Sequence, residues 1–169
     1  NAGLDTVEEL ETYDAVVLGN PYDTITPAVA AALRSWHQSG RGSVVGTGWL
    51  FFNVLNYSTT ARADLDAVVP LNMSGSRYNT STVRVLDSSH AVTEGLPSSW
   101  AFSSGEYSSA GADAGTTVLG DNGGGAPTVI VSETGGSRSV WLGPAYFYTD
   151  TTLASGAGDR LLEQAVAWA

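Results

Sequence analysis

The chain has 169 residues, enough for one domain and too few for two complete large ones, and its 43% hydrophobic share excludes disorder throughout. Seventeen acidic residues stand against seven basic ones, all arginine, for a formal net charge of -10. With no basic cluster, that argues against nucleic-acid backbones and anionic lipid surfaces as partners. Zero cysteines exclude disulfides, thiol nucleophiles and thiolate metal sites together.

Strands and helices are predicted to alternate. DAVVLG at 14–19 is a short β-branched run ending in glycine, the pattern of a strand buried on both faces. A helix follows, with Thr26 as N-cap, Pro27 in the first turn, Val29, Ala32, Leu33 and Trp36 at helical spacing, and Gly40 closing it. GSVVGTG at 42–48 supplies the second strand of a βαβ unit. ARADLDAVV at 61–69 has helical spacing, with Thr59 or Thr60 as a cap. NMSGSRYNTST at 72–82 reads as a loop or an irregular edge strand, and VRVL at 83–86 as a strand. HAVTEGLP at 90–97 is a turn-rich connection, followed by candidate strands WAFSS and TTVLG and the flexible turn DNGGGAP. APTVIVSE and SRSVWLG are two strands joined by TGG at 134–136 as a hairpin. The last helix, GDRLLEQAVAWA, presents Leu161, Leu162, Ala165, Val166 and Trp168 on one broad apolar face.

No run reaches the ~18 apolar residues of a membrane span, so no membrane insertion is expected. The abundance of glycine, serine and threonine without any lysine leads us to expect a secreted, extracellular protein, a cytoplasmic one remaining the alternative.

The order YDAVVLGN, helix, GRGSVVGTG, HAVTEGLP, SRSVWLGPAYFY, LLEQAVAWA resembles the class I glutamine amidotransferase-like superfamily over residues 10–169. Within it, the likeness is to the branch of trehalose-utilisation-type proteins and beta-galactosidase middle domains. The resemblance implies a single α/β domain over 1–169, part of a longer polypeptide. Its sheet would be mostly parallel and flanked by helices in a flavodoxin-like three-layer sandwich, with its site at the C-terminal strand ends.

Two departures matter. Family domains begin with a further strand and helix ahead of the segment matching LETYDAVVLG. That first βα unit looks absent here, so another domain or chain is the expected partner, completing the sheet. The family's cysteine nucleophile sits on the strand-to-helix turn that here reads Gly46, Thr47, Gly48 and Trp49. Its histidine belongs to the loop that here reads LGPAYFYTD, with Tyr146, Phe147, Tyr148 and Asp150. No catalytic residue is therefore assigned. Thr47 as a nucleophile would need an adjacent base, and making the turn is its simpler role.

Trp49, Phe51 and Phe52 follow one strand and Tyr146, Phe147 and Tyr148 another, so the resemblance places both sets at neighbouring strand ends. Thr47, Trp49, Phe51, Glu106, Tyr146 and Tyr148 form the candidate cleft, for a glycan or peptide; the competing reading is that these rings fill the space of a lost active site. His37 reads as a surface helix-end residue rather than a base, and His90 as a turn-stabilising residue rather than a metal ligand. Glu94 with Glu106 is a candidate acid–base pair whose proximity the sequence leaves open. Asp113, Asp121 and Asn122 read as solvated loop groups, with calcium ligation the alternative. Sequons occur at Asn56, Asn72 and Asn79. No cofactor and no metal is expected. The favoured reading is a non-catalytic scaffold, binding or assembly module; the alternative is a hydrolase of a carbohydrate or amide using a carboxylate or hydroxyl at the strand ends.

Overall fold

The computed structural model describes residues 4–19, 22, 24–146 and 154–169. Their elements run α1 (Val7–Leu10), β1 (Ala15–Leu18), α2 (Pro27–Gln38), β2 (Ser43–Thr47), α3 (Leu50–Asn56), a 3₁₀ turn (Thr59–Ala61), α4 (Arg62–Asp66), β3 (Arg77–Val85), β4 (Ser99–Ser108), β5 (Thr117–Asp121), β6 (Pro127–Thr134), β7 (Ser137–Leu142) and α5 (Gly156–Trp168).

The seven strands form one sheet in the order β1-β2-β7-β6-β5-β3-β4. β1–β2 and β2–β7 are parallel, and the other four pairings are antiparallel. This corrects the expectation of a mostly parallel, flavodoxin-like sheet. The physical reason lies in the connections: a parallel neighbour needs a long crossover, which α2 supplies between β1 and β2, whereas tight turns leave only antiparallel pairing. The turn between β6 and β7 shows this best. Thr134 pairs with Ser137, and the intervening Gly135 and Gly136 have φ of 64° and 94°, both in the left-handed region that a two-residue hairpin turn demands.

The βαβ unit forms as its capping signals predict. Thr26 Oγ1 accepts from the Val29 N–H at 3.3 Å, Pro27 opens α2, and Gly40 turns the chain with φ 77°. Of the region at 72–82, read as a loop or an irregular edge strand, residues from Arg77 onward belong to β3, whose hairpin with β4 carries a bulge between Thr80 and Thr82. Alternation along the strands sends side chains into two cores. Val16, Leu18, Val44, Ile130 and Trp141 face α2, α3 and α4, while Val45, Val129, Val131, Val140 and Leu142 face α5. Trp36 and Trp141 are the largest fully buried side chains, and full burial of an apolar side chain contributes about 1.5–3 kcal/mol.

The sheet curls at its β4 end. Glu106 N–H donates to Gly143 O at 2.9 Å and Ala145 N–H to Ser104 O at 3.0 Å, so β4 returns to the segment that leaves β7. This arch lies across the C-terminal ends of β2 and β7. Among the described residues, no strand pairs with the outer edge of β1.

Candidate functional site

At the C-terminal end of β2 the chain turns into α3 through Gly48 and Trp49. Trp49 has φ 76° and ψ -11°, the sole non-glycine residue with positive φ among those described. A left-handed L-residue costs roughly 1–2 kcal/mol, so its surroundings must hold it there. Its ring meets Phe52 edge-on at 5.3 Å, and the Arg77 guanidinium lies 4.8 Å from its centroid and 5.2 Å from that of Phe52. Close backbone approach fixes the turn further: a Cβ on Gly48 would lie 2.3 Å from Gly143 O, and one on Gly105 would lie 2.4 Å from the same atom.

Under the β3–β4 arch sits Glu106, fully buried. Its carboxylate accepts from the Phe51 N–H at 2.7 Å and the Phe52 N–H at 3.1 Å, and pairs with Arg77 Nε. The first amides of a helix have no partner within it, and a carboxylate there also complements the peptide dipoles. Strand register makes the ion pair possible. Arg77 faces Ser108 and Asn79 faces Glu106, so Arg77 and Glu106 share one face of the hairpin on a diagonal. Burial pushes the Glu106 carboxyl pKa up; Arg77 and the two α3 amides oppose that shift.

Of the candidate cleft residues, Trp49, Phe51 and Glu106 meet at the elbow, whereas Thr47 and Tyr146 are engaged elsewhere. Thr47 is fully buried within β2 and its Oγ1 donates to Leu18 O at 3.3 Å, so its hydroxyl is engaged in the sheet interior. Phe51 is fully buried in the α2–α4 core. Tyr146 packs toward the opposite core, where its hydroxyl donates to Gly158 O at 2.8 Å; burial, then the charge of Asp159, push its pKa up and keep it protonated. Tyr148, with Phe147 and Asp150, lies outside the described residues. Trp49 forms the elbow, and Glu106 plugs it through the Phe51 amide.

His37 corrects its expectation: it is 8% exposed, not a surface residue, with Nδ1 at 3.0 Å from Gly42 O, and burial lowers its pKa. α2 ends against the start of β2, so the helix-end ring is enclosed. Asp121 is likewise not a solvated loop carboxylate. It is 2% exposed and receives both Arg84 Nε, at 2.9 Å, and Arg84 Nη2. His90 acts within its turn, with Nδ1 accepting from the Val92 N–H at 3.2 Å. Glu94 is exposed, and its carbonyl accepts from Arg160 and Gln164 of α5, whereas Glu106 binds α3; the structure does not join these two carboxylates. Among the described residues no group of three or more His, Asp or Glu side chains is arranged to hold a metal ion.

Sequence reasoning missed Arg77 and α3. Arg77 lay in a stretch read as a loop or an irregular edge strand, and the register of β3 with β4 brings it to Glu106. The signal available was a lone arginine in a Ser/Thr-rich hairpin, too general to act on.

The overall fold is shared with solved structures. A cytoplasmic protein from Salmonella typhimurium aligns over 97% of this chain and 74% of its own, with a TM-score of 0.72 and 14% identity. A ThuA-like protein from Bacteroides uniformis aligns over 99% and 74%, with a TM-score of 0.64 and 19% identity. A GMP synthase subunit from Thermoplasma acidophilum aligns over 98% and 76%, with a TM-score of 0.52 and 11% identity. The fold is amidotransferase-like. No family model matches the sequence, and no curated protein does. The expectation of secretion gains nothing from these neighbours, one of which is described as cytoplasmic, and no helix among the described residues is long and apolar enough to cross a membrane.

Proposed function

We infer that the chain is a non-catalytic amidotransferase-like module that serves as a scaffold or assembly domain. The observation that carries this reading is the state of the elbow. In enzymes of this architecture the strained turn presents a nucleophile, and neighbouring amides stabilise the charge that develops on its substrate. Here the strained residue is Trp49, whose indole is no nucleophile, and the Phe51 and Phe52 amides are held by the chain's own Glu106. The hydroxyl alternative loses support from the burial of Thr47, and the two-carboxylate alternative from the separate partners of Glu94 and Glu106.

The assembly part of the reading draws on the outer edge of β1, with which no described strand pairs. A free edge offers ladder groups to a further strand from another domain or chain.

The test is an assay of glutamine, a chromogenic ester and chromogenic glycosides with the purified protein. The expected outcome is hydrolysis no faster than buffer. Turnover that copurifies with the protein and disappears in Thr47→Val or Glu106→Gln would overturn the reading. For the edge, amide hydrogen exchange at Ala15–Leu18 is expected to be fast at the outward-facing amides in this chain and slow when a flanking domain is present. Strong protection in the chain alone would remove the assembly role.

A further inference from the structure

A second locus lies at the far end of the sheet, away from the elbow. A cavity of about 310 Å³ opens on the face of the α2–α4 core, bounded by the last turn of α2, the start of β7, the end of β6 and the loops at 66–70 and 113–116. Its volume is at the low end of ligand-binding pockets and suits a molecule of monosaccharide size.

Some polar atoms on its wall have no hydrogen-bond partner among the described residues. Ser139 is 4% exposed, lines the cavity, and its hydroxyl has no hydrogen-bond partner among the described residues. Alternation along β7 puts it on the same face as Trp141, two residues on, which belongs to the α2–α4 core. A hydroxyl at a cavity wall without a protein partner is available to bond what enters the cavity. His37 is 8% exposed, and its Nδ1 lies 3.0 Å from Gly42 O. A carbonyl accepts only, so Nδ1 carries the proton and donates, and Nε2 is an acceptor with no partner among the described residues. The Asp113 carboxylate has no donor among those residues either, and the charge it feels is that of Asp66, whose Oδ1 accepts from the Met73 N–H at 2.7 Å. No arginine lines the cavity.

The wall is thus acceptor-rich, with two carboxylates, a neutral imidazole nitrogen and hydroxyls, and it lacks a cation. We propose that this cavity binds a small primary amine bearing hydroxyl groups, of the amino-sugar type, with the ammonium between Asp66 and Asp113 and the hydroxyls on His37 and Ser139. An ammonium offers three donors and no acceptor, which relieves the carboxylate repulsion and fills the acceptor sites together. The binding is independent of the elbow and of the non-catalytic reading.

Titration of the full chain with glucosamine, with glucose as the neutral counterpart, tests the proposal by calorimetry and by amide chemical shifts. Saturable binding of glucosamine is expected, with shifts concentrated at 66–70, 113–116 and 132–139. Glucose should bind roughly tenfold more weakly or not at all. Asp113→Asn should weaken glucosamine binding roughly tenfold, and Ser139→Ala about threefold. Both variants remove an unpaired group rather than a packed one and should remain folded by circular dichroism. No saturable binding, equal affinity for glucose, shifts elsewhere, or an affinity unchanged in Asp113→Asn would each overturn it.

Discussion

The two ends of the parallel strands β1, β2 and β7 treat their polar groups in opposite ways. At the elbow end the charged groups answer one another within the chain: Glu106 takes two α3 amides and Arg77, and Arg77 also stacks on Trp49, although its Nη2 is buried without a hydrogen-bond partner among the described residues. At the other end Asp113, Ser139 and His37 Nε2 face a cavity without partners among the described residues. Open α/β sheets commonly bind ligands at the first of these ends. In this chain the β3–β4 arch has closed that end with its own residues, and unsatisfied polarity has remained at the other. The comparison teaches that the position of a fold's usual site is a weaker guide than which polar groups the protein itself engages and which it leaves facing a cavity.

The largest effect should come from opening the closed end. Glu106→Ala leaves the Arg77 guanidinium and two helix amides without their acceptor, and should cost about 3–5 kcal/mol in urea unfolding. A loss below about 1 kcal/mol would show the elbow end to be less closed than its geometry indicates. Next comes Gly48→Ala, whose Cβ would press on the Gly143 carbonyl from 2.3 Å. Because the obstacle is backbone, the arch must shift, at about 1–3 kcal/mol. Thr26→Ala removes the N-cap of α2, the helix that runs from the closed end to the cavity, and should lower stability by about 1 kcal/mol.

The smallest effect should have the opposite sign and belongs to the open end. Burial and the neighbouring Asp66 charge raise the Asp113 pKa above that of an unfolded aspartate, about 3.9. The folded state then holds that proton more tightly, so this contribution to stability is present below about pH 4 and is lost as pH rises through the raised pKa. Asp113→Asn should remove that part of the pH dependence and stabilise the protein at pH 7 by a few tenths of a kcal/mol, discounted because the group is partly in water. A thermal melting series from pH 3 to 7 reads both. A destabilised Asp113→Asn at neutral pH would mean that the carboxylate is already satisfied, and the contrast between the two ends would fail.

Much of the fold was legible locally. The cap at Thr26, the strands β1 and β2 and the Gly135–Gly136 turn each depend on a few neighbouring residues and formed where read, although β1 is half-buried at alternate positions and the apolar face of α5 leaves Val166 exposed. The elbow was placed in the right segment, although the strained position is Trp49 rather than one of the glycines beside it. What failed was long-range. Strand direction across β3 to β6 depends on which strands become neighbours, and the reading of 72–82 stayed open between loop and irregular strand because a Ser/Thr-rich hairpin lacks the apolar alternation of a buried strand. The burial of His37 and Asp121 was missed for the same reason: their enclosing partners, Gly42 and Arg84, carry no sequence mark of contact.

By itself the sequence determined an acidic α/β chain without thiol chemistry, a βαβ unit, and a turn at 46–49 without a cysteine. Tertiary structure alone decided that Trp49 takes the strained position, that Glu106 crosses 55 residues of chain to hold the Phe51 amide, and that the far end keeps unpaired polar groups. The division has one physical cause. Composition and periodicity report how each segment meets water, whereas burial and hydrogen bonding depend on which segments meet each other.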